Sequence, residues 1–175
     1  GGKQDATIYR TAELYNASAG SFAKTGGTMS SERYRHTATL LENGSVLIAG
    51  GQDAKSISDT AEVFDPFTSG FSPVGAMTSP RDGHTATLLK SGEVLLAGGI
   101  DGISIAASAE LYDPATSSFR AVGAMTEGRV FHTAVLLNNG KVLIAGGQNG
   151  GDYLGSAEIY DPATETFTAA LPMNE

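Results

Sequence analysis

The sequence predicts an all-β chain of repeated four-stranded antiparallel units, and three observations predict it. Short motifs recur at one fixed period. Each period carries β-branched and apolar runs separated by turns rich in Gly, Asn and Pro. No segment shows a helical apolar period with caps. The period is the strongest of the three. Ala-Gly-Gly begins at Ala49, Ala97 and Ala145, and His-Thr-Ala at His36, His84 and His132, each 48 residues apart. The pairs Ala12-Glu13, Ala61-Glu62, Ala109-Glu110 and Ala157-Glu158 are spaced by 49, 48 and 48. The extra residue falls between Phe22 and Met29, a stretch one longer than Phe71–Met77, Phe119–Met125 and Phe167–Met173. Such a repeat marks a tandem array whose units bury their apolar surfaces against one another.

Within a unit the elements read in order. The first strand is His84-Thr85-Ala86-Thr87-Leu88-Leu89. A hairpin turn follows, at Glu42-Asn43-Gly44-Ser45, Lys90-Ser91-Gly92-Glu93 and Asn138-Asn139-Gly140-Lys141. Asn-Gly is a strong hairpin signal, because both residues tolerate positive φ. The second strand, Val94-Leu95-Leu96-Ala97, stops at the double glycine. The third, Ala109-Glu110-Leu111-Tyr112, ends in Asp113-Pro114-Ala115-Thr116, where Pro presets φ and Asp accepts from the backbone two residues on. The fourth is short and centred on Phe119.

Four short strands in 48 residues match a propeller blade better than a solenoid coil. The pattern resembles the kelch repeat, with Arg81 opening the inner strand, Gly98-Gly99 ending the second, Glu110 and Tyr112 in the third and Phe119 in the fourth. His-Thr-Ala, Asn-Gly and Asp-Pro-Ala-Thr make it similar to the kelch repeats of secreted bacterial proteins. The resemblance covers essentially the whole chain. It departs in the closing strand, where Phe22, Phe71, Phe119 and Phe167 replace the usual Trp. The resemblance implies a kelch-type β-propeller segment of about 3.5 blades. The third and fourth strands of a partial blade lie in 1–31, over about Thr7 to Ala23, followed by blades at 32–79, 80–127 and 128–175.

Residues that recur in every unit are expected to be structural, since one active site does not need three copies. Arg33, Arg81 and Arg129 precede Glu62, Glu110 and Glu158 by 29 residues each time. Each is expected to form an ion pair within a blade or across two blades, the Arg fork matching a carboxylate. His36, His84 and His132 open the first strand, which in kelch propellers is innermost. A metal-holding ring is weighed against a histidine bonded to neighbouring backbone, and the second is favoured. Equivalent positions spread around a ring do not converge to the ~2 Å that zinc–imidazole bonding needs. The double glycines are expected where backbone bends or approaches another blade without a Cβ. Tyr15, Phe64, Tyr112 and Tyr160 are expected to pack between blades.

Binding chemistry should then lie where units differ. The second-to-third connections vary (Lys3–Thr11, Gln52–Thr60, Ile100–Ser108 and Gln148–Ser156), as do Tyr34-Arg35, Asp82-Gly83 and Val130-Phe131 between the repeated Arg and His. With four antiparallel strands these connections emerge on one face, as expected of binding loops on a rigid scaffold. Kelch proteins commonly use this face for ligands. Its candidates are Tyr34, Arg35, Asp53, Asp82, Asp101, Phe131, Asp152 and Tyr153, an aromatic and acidic set suited to sugars or peptides. Asp101-Gly102 and Asn149-Gly150-Gly151-Asp152 are weakly similar to calcium loops but lack the ligand order. Asn16-Ala17-Ser18 and Asn43-Gly44-Ser45 fit the glycosylation sequon.

The reading is a non-catalytic module that binds a protein or glycan through the variable face. The alternatives are a structural subunit of an extracellular or cell-surface assembly, and the propeller of a secreted carbohydrate-active enzyme. The last would need Asp82, Asp152 and Tyr153 to converge. No catalytic residue, metal or cofactor is assigned. The chain has no Cys, which excludes a disulfide scaffold and the Cys-crosslinked tyrosine of a radical-copper oxidase. A net charge of −8 argues against nucleic acid, and the apolar runs are too short to span a bilayer. Export is expected from the absent Cys, low Lys content and Ser/Thr/Gly richness, with any signal outside this chain. Three and a half blades do not close a ring, so more propeller chain or self-association is expected.

Overall fold

The computed structural model describes residues 1–173; the last two residues of the predicted unit 128–175 lie outside the described residues. In residues 1–31, β1 (Gly2–Gln4) pairs with β2 (Thr7–Tyr9), and β3 (Glu13–Asn16) pairs with β4 (Ser21–Lys24). Three antiparallel four-stranded sheets follow. The first holds β5 (Thr37–Leu40), β6 (Val46–Ala49), β7 (Ala61–Asp65) and β8 (Gly70–Pro73) in sequence order. The second holds β9 (Thr85–Leu88), β10 (Val94–Ala97), β11 (Ala109–Asp113) and β12 (Ser118–Ala121), again in order. The third begins with β13 (Thr133–Leu136) and β14 (Val142–Ala145). A hairpin of β15 (Gln148–Asn149) and β16 (Asp152–Tyr153) then intervenes, and β17 (Ala157–Asp161) and β18 (Thr166–Ala169) complete the sheet as β13-β14-β17-β18. These are meander blades, and the described sheets do not close into a ring.

Register repeats with the sequence. Ala49 faces Ala61, Ala97 faces Ala109 and Ala145 faces Ala157, each one residue before the double glycine. The turn between the first two strands differs from the Asn-Gly expectation. Leu41 N donates to Ser45 O and Gly44 N to Leu41 O, with only Gly44 at positive φ (84°). This is a turn closed by a left-handed glycine, so the residue before it need not tolerate positive φ. Ser91-Gly92 therefore serves as well as Asn43-Gly44. The turn after the third strand is as read: Asp113 Oδ1 accepts from Ala115 N at 2.8 Å.

The N-terminal unit corrects the sequence reading. Its third and fourth strands begin at Glu13, not near Thr7, because Thr7–Tyr9 folds back on Gly2–Gln4 around a two-residue turn whose Asp5 sits at φ 53°. Asn149 and Asp152 likewise face each other across Gly150 (φ 62°) and Gly151 (φ 104°). This segment, weakly similar to a calcium loop, is a hairpin turn.

The core lies between blades. In β10, Leu95 and Ala97 pack into a cluster with Val142, Ile144 and Tyr160 of the following blade. Val94 and Leu96 point the other way, into a cluster with Leu41, Leu47, Ala49 and Met77 of the preceding blade. A strand buried on both faces reads as an unbroken apolar run, which is why Val94–Ala97 shows no alternation. Each such Leu contributes about 1.5–3 kcal/mol by burial. Inner strands β5, β9 and β13 stand side by side, so the first strand of each blade is innermost.

Candidate binding face

Each blade is locked by a charged hub. Arg33, Arg81 and Arg129 are fully buried, and Glu62, Glu110 and Glu158 are at most 1% exposed. Their ion pairs measure 2.9, 2.6 and 3.2 Å and lie within one blade, joining the lead-in of the first strand to the third. Each Arg also donates through Nη1 to the first glycine of the pair and to the residue before the third strand. For Arg81 these are Gly98 O and Ser108 O, both at 3.0 Å. The second carboxylate oxygen of Glu110 accepts from Thr78 N at 2.7 Å, and Glu62 and Glu158 accept from Ser30 N and Thr126 N in the same way. Two backbone carbonyls and a carboxylate meet at one guanidinium, and the carboxylate carries the link on to a further backbone N–H. The copies are not identical: Arg81 uses Nε for its glutamate, while Arg33 and Arg129 use Nη2 and leave Nε buried without a partner.

The blades are joined by histidine and glycine. His84 Nε2 lies 3.0 Å from Thr37 Oγ1 and His132 Nε2 lies 2.9 Å from Thr85 Oγ1, each threonine on the preceding blade. The partner is thus a neighbouring hydroxyl rather than the backbone expected, supplied by the Thr of His-Thr-Ala itself. Nδ1 of all three histidines is buried without a partner. Burial, then the charge of the hub arginine, pushes His84 down to about 3 and His132 to about 4. Burial also lowers His36 to about 4, helped by the N-terminal ammonium and Arg33. Among the described residues no group of acidic or histidine side chains is placed to hold a metal ion. Where another blade follows, the first glycine of the pair has no room for a side chain: a Cβ on Gly50 would stand 2.5 Å from Arg81 O, and one on Gly98 2.5 Å from Arg129 O. The second donates across the junction, Gly51 N to Arg81 O at 2.8 Å and Gly99 N to Arg129 O at 2.9 Å.

The variable connections do emerge together. Tyr34 pairs with Gln52, Asp82 with Ile100 and Val130 with Gln148 as isolated bridges, tying each lead-in to the start of its second-to-third connection. The next residue is left-handed in all three blades: Arg35 (φ 55°), Gly83 (φ 66°) and Phe131 (φ 55°). Phe131 N donates to Gly83 O at 3.0 Å, and Gly83 N approaches Arg35 O at 3.5 Å. One rim of backbone therefore crosses three blades while its side chains change completely.

Arg35, Asp82, Tyr34 and Phe131 come together on that rim. The Arg35 guanidinium lies 5.2 Å from the Phe131 ring centroid and 5.6 Å from that of Tyr34. Arg35 Nη1 is 3.5 Å from Asp82 Oδ2. Asp82 is 1% exposed and its Oδ1 has no partner. Burial pushes its carboxyl up, opposed by Arg35. Lys3 Nζ sits 5.0 Å from the Tyr34 centroid, a contact with no sequence signal because the two residues belong to different units.

The remaining candidates are placed elsewhere. Asp53 and Asp101 line an open cavity of about 550 Å³ between Gln52–Ile57 and Asp101–Ile103. Each caps its own loop. Asp53 Oδ1 accepts from Lys55 N and Ser56 N, and Asp101 Oδ1 from Ser104 N and Ile103 N, which hold both carboxyls below their ordinary value. Asp152 and Tyr153 form the outer arm of the β15–β16 hairpin, with Tyr153 84% exposed. Asp82 pairs with Arg35, so its contacts do not run to Asp152 or Tyr153. Of the aromatics expected between blades, Phe64, Tyr112 and Tyr160 are buried but Tyr15 is 59% exposed. Tyr15 lies in the two-stranded β3–β4 sheet, which among the described residues is not extended by further strands.

Buried arginine hubs, junction glycines and four-stranded meanders around inner first strands define a β-propeller array. The solved structure titled "Structure of YjhT" has this fold, with a TM-score of 0.76 at 12% identity over 89% of this chain and 56% of that one. The chain thus spans little more than half the length of that structure. A comparison with curated proteins finds no match. Residues 129–174 match the model of the Kelch motif, a stretch that runs from the hub arginine Arg129 through β18. The other blades repeat the same Arg, Gly-Gly, Glu and aromatic positions. Residues 129–174 thus carry a Kelch motif, set in a chain with the fold of a β-propeller.

Proposed function

We propose that the chain is a non-catalytic interaction module which binds a protein or a glycan through its variable loop face, on an exported protein. The observation that carries this is the rim. Three blades present the same left-handed backbone with Arg35, Gly83 and Phe131 upon it. A fold that fixes backbone and frees side chains suits recognition, where binding groups sit on loops held by a rigid frame. Phe131 at 51% exposed and Tyr153 at 84% supply aromatic surface of the kind that stacks on sugar rings or anchors peptides. Screening the chain against soluble polysaccharides and a peptide library tests it. Replacing Phe131 by Gly and Tyr153 by Ser, both exposed, should abolish capture without lowering the melting temperature. Capture that survives the exchange overturns the reading.

A structural role within an assembly has its own support. Tyr15 and Phe22 pack as a tilted pair with centroids 5.0 Å apart, as Tyr112 and Phe119 do at 4.9 Å. Yet Tyr15 and Phe22 are 59% and 68% exposed where Tyr112 is buried. Apolar surface of this kind drives association. Light scattering should show concentration-dependent growth, which Tyr15→Ser with Phe22→Ser should suppress. A monomer at every concentration removes this reading.

A further inference from the structure

We propose that Tyr34, Asp82 and Phe131 form a cage for a guanidinium, that Arg35 fills it within the chain, and that an arginine side chain of a partner polypeptide displaces Arg35. The proposal rests on the variable face being a binding surface and names the chemistry of its partner. Three independent features point to a cation. Two aromatic faces flank the present guanidinium at 5.2 and 5.6 Å, the arrangement in which ring quadrupoles attract positive charge. A carboxylate that is 1% exposed, Asp82, closes the third side. Gly83 makes the reach of Phe131 possible: a Cβ there would stand 2.7 Å from Phe131 Cε1, so the ring lies over the bare backbone of the middle blade.

Arg35 satisfies this cage incompletely. It approaches one oxygen of Asp82 at 3.5 Å, leaves Oδ1 without a partner, and keeps half of its side chain in solvent. A buried carboxylate oxygen without a donor is costly. A guanidinium entering from outside is free of the rim's backbone and can meet both oxygens as a fork. The planar group between two rings selects arginine over lysine. Asp53, Asp101 and Asp152 stand in the loops of the same face, and the chain's net charge of −8 draws a cationic segment toward it. Lys3, on the Tyr34 ring, is the one cation at this rim besides Arg35 among the described contacts.

The test is titration of the isotopically labelled chain with acetyl-Gly-Arg-Gly-amide, followed at the amides of Gly83 and Phe131. The unmodified chain should bind weakly, because tethered Arg35 competes at an effective concentration on the order of millimolar. Arg35→Ala should bind at least about tenfold more tightly. Adding Phe131→Ala or Asp82→Asn to Arg35→Ala should erase that gain, with melting temperatures taken alongside. Phe131 is half exposed, so its variant carries the test should Asp82→Asn unfold. An Arg35→Ala chain that binds no more tightly than the unmodified one, or a gain that survives Phe131→Ala, overturns the cage. So does binding of acetyl-Gly-Glu-Gly-amide that is lost in Arg35→Ala, a result which would leave the variable face a binding surface of the opposite chemistry.

Discussion

Arg81 and Gly83 stand two residues apart on one lead-in, yet their equivalents in the other blades follow opposite rules. At the first position every blade has arginine, fully buried, with the same kinds of partner. At the second the blades share a backbone angle and nothing else, with a half-exposed cation, a glycine and an exposed aromatic. The difference lies in what each side chain must satisfy. A hub arginine answers carbonyls at both ends of one connection and a carboxylate of the third strand, and any smaller side chain would strand all of them. A rim side chain answers to no repeated contact, so its chemistry is free to differ from blade to blade.

Breaking the hub should have the largest effect. Arg81→Ala leaves Glu110 buried and unpaired and is expected to cost about 3–5 kcal/mol in urea denaturation. The loss should exceed that of Arg33→Ala, whose fork already leaves Nε idle. Removing both charges, with Arg81→Leu and Glu110→Leu, should recover part of it. Acid comes next. The histidines are neutral in the fold, with values lowered from 6.5 to about 4, 3 and 4 for His36, His84 and His132. The unfolded chain therefore takes up protons below pH 6.5 that the fold refuses. Stability is full above that pH and falls as pH drops toward about 4, by up to about 1.4 kcal/mol per pH unit for each histidine. His84→Gln should flatten that slope.

Smaller effects separate junction from rim. Gly98→Ala meets both a φ of 67° and the Arg129 carbonyl, and should cost more than Gly102→Ala, where φ is 97° but nothing stands within 4 Å. Strain alone is worth about 1–3 kcal/mol, so the difference reports the close approach. Thr37→Val, which removes the hydroxyl facing His84 Nε2, should cost about 1 kcal/mol. Phe131→Ala should change stability by less than about 0.5 kcal/mol while weakening capture by the variable face. A rim substitution that destabilises as much as Thr37→Val would erase the contrast.

What was legible in the chain follows the same division. Val94–Ala97 could be bounded to the residue because its ends are marked by a repeated turn and a repeated Gly-Gly. The hub was legible because Arg and Glu keep one spacing in three copies. The histidine partner was misjudged because Thr37 and His84 lie 47 residues apart, and a sequence motif does not say which neighbouring blade it faces. Strands β1, β2, β15 and β16 were missed because they are short, polar hairpins inside connections, without an apolar alternation to reveal them. The meeting of Arg35 with Phe131 had no signal at all, since it depends on Gly83 of the blade between them.

Gly2, Gly51 and Gly99 each donate to the carbonyl of the arginine one unit further on, Arg33, Arg81 and Arg129. Donor and acceptor sit in different units but at fixed places in each, so one unit can follow another without adjustment. In the gene, duplicating or deleting 48 codons leaves every seam compatible. New loop sequences arrive on a frame that asks for no matching change elsewhere. Blade number and loop chemistry are thereby inherited as separate traits.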